Sequence, residues 1–476
     1  MNGMKTIALA LLLITAPLGV NATCAEEAEI NAALPTIPEA KFNLTDFGAK
    51  SDSKSMNTEA FQKAVAAIEN AGGGHLIVPA GTYRTTSFEL TSHMDLHLEA
   101  GATIKASEKF ADYGIPDPNE PPPANADQTA SGEKGSSEKS KGGDPGVGRE
   151  KIPALITGSK LTDVAITGGG TIDGSGAVFW TWSDKAARRY PPGRRFVPRP
   201  VLVALTGIER LHVDGVTITN SPSFHLVPRN SKDVMIENIR IVAPSDAPNT
   251  DAINVGGERV VIRKCEIDSG DDNVALQSGS HDVLIEDLTC LHGHGISIGS
   301  PTDKGLSHVI VRRCSFNGTD NGLRIKSYRG RGGEVHDISY SDITMKNVRR
   351  PFDINMRYNG NANTPTDVGP REAEPGQTKA IPNFHDIRIT NLTVTRSPLA
   401  GRILGIPEQM PYNIKFTNAK IQSNRGFLVQ DAKDITFENC QIDAANGPPL
   451  VLDNATVDWN GTAKTGTEGG SAASFY

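Results

Sequence analysis

Four polar clusters interrupt the apolar runs in the middle of the chain: Asn249-Thr250-Asp251, Gly270-Asp271-Asp272, Gly293-His294-Gly295-Ile296-Ser297 and Arg324-Ile325-Lys326. Together they offer three carboxylates, an imidazole, a guanidinium and an ammonium. Cleavage of a glycosidic bond needs a protonated acid at the leaving oxygen and a carboxylate that activates water. Crowding carboxylates raises the proton affinity of at least one of them, because like charges oppose joint ionisation. Adjacent Asp271 and Asp272 would face opposite ways in a regular strand, and Gly270 allows a bend or bulge that brings both to one surface. Arg324 and Lys326 are two apart and share a face of a strand, where they suit an anionic sugar, one as a fork and the other as a point charge. Each cluster alone has an ordinary explanation: a turn, a tight loop, a solvated strand face. A divalent ion on the Asp cluster and His294 is disfavoured by the two cations beside it, so no metal is expected.

Their spacing carries the case. Asp271 follows Asp251 by 20 residues, His294 follows Asp271 by 23, and Arg324 follows His294 by 30. Short β-like runs recur at a similar interval. From Leu211 they start again at Val234, Val260, Val283, Val309 and Ile338, at spacings of 23, 26, 23, 26 and 29, and then at Ile387, Ile414 and Ile435. The interval of 49 before Ile387 fits one long turn or two coils. A period in the twenties with β-branched runs means a solenoid. The Leu framework of leucine-rich repeats and the 3.6-residue spacing of helical repeats are both missing. What remains is a parallel β-helix, whose coils stack about 4.8 Å apart. Residues one coil apart then lie on one face, so the four clusters converge on one groove.

The rest of the chain frames that stack. With 476 residues, the length would suggest two or three domains, but an elongated repeat grows along its axis. A net charge of −7 argues against a nucleic-acid partner. Met1 to Ala25 reads as a secretory signal peptide, with Lys5 ahead of an apolar stretch too short to span a membrane. The mature protein is therefore expected to be secreted or periplasmic, without membrane insertion. Cys265, Cys290, Cys314 and Cys440 follow the apolar runs at similar offsets and read as buried rungs, not disulfides. Thr58 to Ala71 shows helical spacing, with Ala60, Phe61, Ala64, Val65 and Ile68 on one face and Asn57 or Thr58 as cap. It is expected to close the open end of the stack. Residues 116–148 read as a flexible insertion, 359–382 as a second polar loop, and 461–476 as a polar, frayed tail.

The four clusters, with Ile298-Gly299-Ser300 completing the third, strongly resemble the ordered signatures of glycoside hydrolase family 28, the polygalacturonases. Phe47-Gly48-Ala49, Gly72-Gly73-Gly74 and Val78-Pro79-Ala80-Gly81-Thr82-Tyr83 look like the start of bacterial members. The similarity covers roughly residues 41–455. It implies an all-β fold: a single-stranded right-handed parallel β-helix, the pectin-lyase-like solenoid, with an N-terminal capping helix. It also implies inverting hydrolysis of α-1,4 galacturonosyl linkages in pectin. By analogy Asp271 is the general acid, Asp251 and Asp272 hold and activate water, and His294 supports the acid. Arg324 and Lys326, with Asn249 beside them, bind the galacturonate, and Tyr358 is the best match for a family tyrosine. No cofactor is implied, the partner is an acidic polysaccharide, and a monomer is expected. Three positions depart from the pattern: Ala252 stands for the usual Gly, Asn273 for a frequent Cys, and Gln277 for a frequent Lys. Alternatives are a hydrolase of rhamnogalacturonan or xylogalacturonan, a lyase on the same fold, and a non-catalytic polysaccharide-binding β-helix. The last predicts loss of an Asp, and all three are present.

Overall fold

A computed structural model describes residues 30–115, 117–118, 152–182, 197–359, 367–373 and 380–466. The expected leader, nearly all of the insertion at 116–148 and the last ten residues of the tail lie outside the described residues.

The chain winds into a parallel β-helix with three strand columns. In the first, the apolar runs pair residue for residue: Leu211 with Val234, Val234 with Val260, Val260 with Val283, and Val283 with Val309. Val309 pairs with Ile338, and Ile338 pairs directly with Ile387. The 49-residue interval is thus one coil carrying a long excursion. Every second side chain of each strand enters the same interior stack, which makes register unambiguous: a slip of one residue would turn the apolar set outward.

The turn leaving the first column needs a left-handed residue in coil after coil. Asn238, Asp287, Asn391, Asn418 and Asn439 fill it with φ of 52–57°, a conformation Asn and Asp tolerate best among residues with a side chain. The carboxamides of the last three form a ladder along the stack, Asn418 Nδ2 donating to Asn391 Oδ1 at 3.1 Å and Asn439 Nδ2 to Asn418 Oδ1 at 2.7 Å. Cys265, Cys290, Cys314 and Cys440 are buried free thiols, as the spacing implied.

The helix Thr58–Asn70 caps the N-terminal end and buries the five apolar residues expected of it. Phe61 stacks on Phe88 with centroids 4.4 Å apart. Neither proposed cap operates. Asn57 precedes the helix but makes no side-chain cap bond; its carboxamide is committed to Lys50 N and to the carbonyls of Lys50, Ser55 and Arg84. Thr58 Oγ1 accepts from Thr86 N at 2.9 Å instead. The tail also differs from expectation where it is described. Thr462–Gly466 folds back antiparallel on Ala455–Trp459, because the last coil presents an unpaired strand edge and a hairpin covers it.

Candidate active site

The third strand column positions the site. Ile253, Val274 and Ile296 are successive partners in it. Two residues ahead of each stand Asp251, Asp272 and His294, so one carboxylate, another carboxylate and an imidazole form a column at the mouth of three consecutive strands. Asp271 and Asp272 occupy a bend just before the strand Val274–Leu276, which is why they do not face opposite ways. Gly270 serves this bend by its lack of bulk: a Cβ there would lie 2.2 Å from Ala247 O.

Asp272 is the hub. Its Oδ1 accepts from Ser297 Oγ at 2.9 Å and from the Arg324 guanidinium, and its Oδ2 accepts from Lys326 Nζ at 2.8 Å. Arg324 Nε also donates to Ser297 Oγ at 3.0 Å. Burial pushes the Asp272 carboxyl up, but Lys326 and Arg324 outweigh it and hold the group below the ordinary 3.8. Asp272 therefore stays ionised through neutral and mildly acidic conditions. Asp271 contacts the imidazole instead, with His294 Nδ1 at 2.9 Å from its Oδ1, and His294 N donates to Asp271 O at 2.8 Å. Two adjacent carboxylates thus have different partners: two cations hold one, and one titratable ring faces the other. The ligand atoms of Asp271, Asp272 and His294 lie within 4.8 Å of one another, close enough for a small cation, but both oxygens of Asp272 already receive cationic donors.

Asp251 is held from two sides. Its Oδ2 accepts from Asn254 Nδ2 at 3.3 Å. Its carbonyl accepts from His225 N at 2.8 Å and lies 3.2 Å from His225 Nδ1, while Ser221 N lies 3.3 Å from His225 Nε2. Those partners fit a neutral ring with its proton on Nδ1, and burial pushes the pKa of His225 down to about 4. Asn249 Oδ1 accepts from Arg199 at 2.9 Å. Lys326 Nζ sits 5.3 Å from the Tyr358 ring centroid, so Tyr358 belongs to the cluster. Contacts join Asp271, Asp272, His294, Arg324, Lys326 and Tyr358 in one cluster, and Asn249 and Asp251 stand one strand earlier in the column.

Arg324 and Lys326 are both buried against Asp272. Nearby, Arg329 pairs with Glu408 at 2.6 Å, and Arg357 is buried against Gln430. Two of the three departures have a visible place in the structure. Ala252 is fully buried in the core. Asn273 donates to His292 O at 2.7 Å and accepts from Gly295 N at 2.8 Å, which brackets His294 on both sides. Ser297, His225, Arg199 and Asn273 are the contributors that motif reading did not assign. Register would have found Ser297, which pairs with Arg324; nothing in the spacing points to Arg199.

The model for Glycosyl hydrolases family 28 matches residues 76–374. A probable polygalacturonase of Vitis vinifera is 31% identical over 89% of this chain and 82% of its own. Among solved structures, a hyperthermoactive exopolygalacturonase of Thermotoga maritima aligns with TM-score 0.66 at 25% identity, covering 91% of this chain and 95% of that one. A Yersinia enterocolitica family 28 exopolygalacturonase aligns with TM-score 0.69 at 21% identity over 89% and 78%, which shows the shared fold. The family match spans the whole site, from Asn249 to Tyr358, and with it this chain belongs to glycosyl hydrolases family 28 and is a glycoside hydrolase.

Proposed function

We propose that this protein hydrolyses α-1,4 galacturonosyl linkages of pectin with inversion of configuration, and that it is exported to do so. The observation that carries the reading is the split between Asp271 and Asp272. Asp272, ionised under Lys326 and Arg324, holds and activates water together with Asp251. Asp271, against His294, delivers the proton to the leaving oxygen. An ammonium has three donors, and Lys326 gives one to Asp272, so Lys326 can also meet the carboxylate of a galacturonate, with Tyr358 alongside. The local surplus of cations around one carboxylate favours a uronate over a neutral sugar.

The test is polygalacturonic acid with chelator present. Saturated reducing sugars should accumulate, and the first-formed anomer should be opposite to that of the substrate. An unsaturated product would mean elimination instead. Release of sugars from rhamnogalacturonan or xylogalacturonan, with none from polygalacturonic acid, would move the substrate within the pectic polymers. Sequencing the N-terminus of the exported protein tests processing near Ala25.

A further inference from the structure

The ring of His294 lies between carboxylates that come from the coils on either side of it. On one side its Nδ1 is 2.9 Å from Asp271 Oδ1 and 3.9 Å from Asp272 Oδ1. On the other its Nε2 is 3.8 Å from Asp320 Oδ2. The proposed hydrolysis uses the first side and gives Asp320 nothing to do. Yet the fold holds Asp320 in place by its backbone. Asp320 N donates to Gly293 O at 2.7 Å, and Asp320 O accepts from Arg350 N at 2.9 Å, so the residue is stacked between two coils. The turns that carry ring and carboxylate touch each other: a Cβ on Gly295 would lie 2.2 Å from Gly322 O and 2.3 Å from Asn321 O.

The charges around the ring are unequally answered. Asp272 is balanced by Arg324 and Lys326. Arg350 turns to Asp367, and His292, two residues before the ring, is held by Asp268 at 2.7 Å. That leaves Asp320 facing Nε2, with Arg349 behind it at 3.4 Å and both side chains about half exposed. A neutral imidazole carries one proton, and a carboxylate beside one nitrogen keeps it there. With the proton on Nε2, Nδ1 offers its lone pair to Asp271 and can share the proton of that acid. Negative charge at Nε2 also raises the affinity of the Asp271–His294 pair for the shared proton.

We infer that Asp320 is a positioning residue of the reaction: acting through His294, it keeps the ring proton on Nε2 and keeps the acid loaded to higher pH. In the cleavage step the O–H bond of Asp271 breaks, the proton goes to the leaving oxygen, and the electron pair stays on the Asp271 carboxylate. The attacking water leaves one proton with the Asp251–Asp272 side, and exchange with solvent resets both sites. This rests on the proposed roles of Asp271 and His294.

The experiment combines kinetics on polygalacturonic acid across pH with the titration of the His294 ring in ¹⁵N NMR, its signals assigned by their loss in His294→Gln. In Asp320→Asn the limb of kcat/KM that falls with rising pH should move down by about half a pH unit, the size of one part-exposed charge pair. The limb at low pH, which reports the carboxylate base, should stay. The His294 titration should move down as well. Arg349→Gln leaves Asp320 unopposed and should move both upward, while Asp320→Glu should restore the wild-type profile. Salt at about 1 M should shrink these shifts, because the pair is exposed to screening. Loss of kcat at every pH, with the limb and the ring titration unmoved, would mean a structural residue and overturn the inference. So would shifts of the same sign in Asp320→Asn and Arg349→Gln. If the wild-type enzyme leaves every galacturonan intact, the proposed hydrolysis fails, and the NMR titration alone then decides whether Asp320 sets the ring.

Discussion

Two charge clusters sit one coil apart on the same strand column, and their contrast explains where chemistry happens. In the first, Asp272 holds Arg324 and Lys326. In the second, Asp353 holds Arg402 in a two-point pair at 2.7 and 3.0 Å, and Asp367 joins Arg402 to Arg350. Both are buried. The second is balanced, two carboxylates against two guanidinium groups. The first has two cations on one carboxylate, with Asp271 and His294 next to it, and it faces the groove. A balanced cluster can only hold the fold together. An unbalanced cluster beside a titratable pair can receive an anion and move a proton.

Substitutions should separate these roles. The largest effect is expected from Asp271→Asn and Asp272→Asn, each lowering kcat by about 10²–10⁴-fold, the usual range for loss of a proton-transfer group, with the far-UV spectrum unchanged. An active Asp271→Asn enzyme would remove that residue as the acid. Next comes Asp353→Ala, which leaves Arg402 charged in a buried site. It should lower unfolding stability by about 3–5 kcal/mol in urea titration, and any surviving folded enzyme should turn over normally. If Asp353→Ala were fully stable yet inactive, the division between the two clusters would fail. Lys326→Ala should raise KM by roughly ten- to a hundredfold, the worth of one charge-assisted hydrogen bond, and lower kcat as well, because Asp272 loses one of the two cations that hold it ionised. Asn273→Ala releases the backbone on both sides of His294. It should lower kcat by about tenfold, well inside the loss that a small misplacement of a catalytic group can cause, with KM little changed.

A separate effect, on stability and not on turnover, is one of pH. His225 is buried neutral with its pKa pushed down to about 4, from an ordinary 6.5. The unfolded chain therefore binds a proton that the folded chain refuses between those values. Stability should fall as pH drops from 6.5 towards 4, by up to about 3 kcal/mol. A His225→Gln variant should flatten this limb in denaturation curves taken across the range. Asp272 acts in the other direction of cause: its lowered value keeps its ion pairs intact until the pH falls below 3.8.

Much of this was legible in the chain. Asp251, Asp271, Asp272, His294, Arg324 and Lys326 recur at the coil period, and a solenoid turns sequence period into spatial adjacency, so their convergence needs no long-range knowledge. The capping helix was legible for a similar reason, since its apolar stripe is local. Its cap was not. Asn57 has the right type and place, but a loop and a neighbouring strand claimed its carboxamide first. Arg199 reaches Asn249 across 50 residues, and Asp367 lies in a stretch that reads only as a polar loop.

By itself, then, the amino-acid sequence determined the stack, its register and the order of the reacting groups, because those follow from a repeating pattern of side chains along one axis. Only the tertiary structure decided which carboxylate is held ionised and which cations are already engaged. Those depend on contacts between side chains far apart in the chain, whose energies come from distance and burial and leave no periodic mark on the sequence.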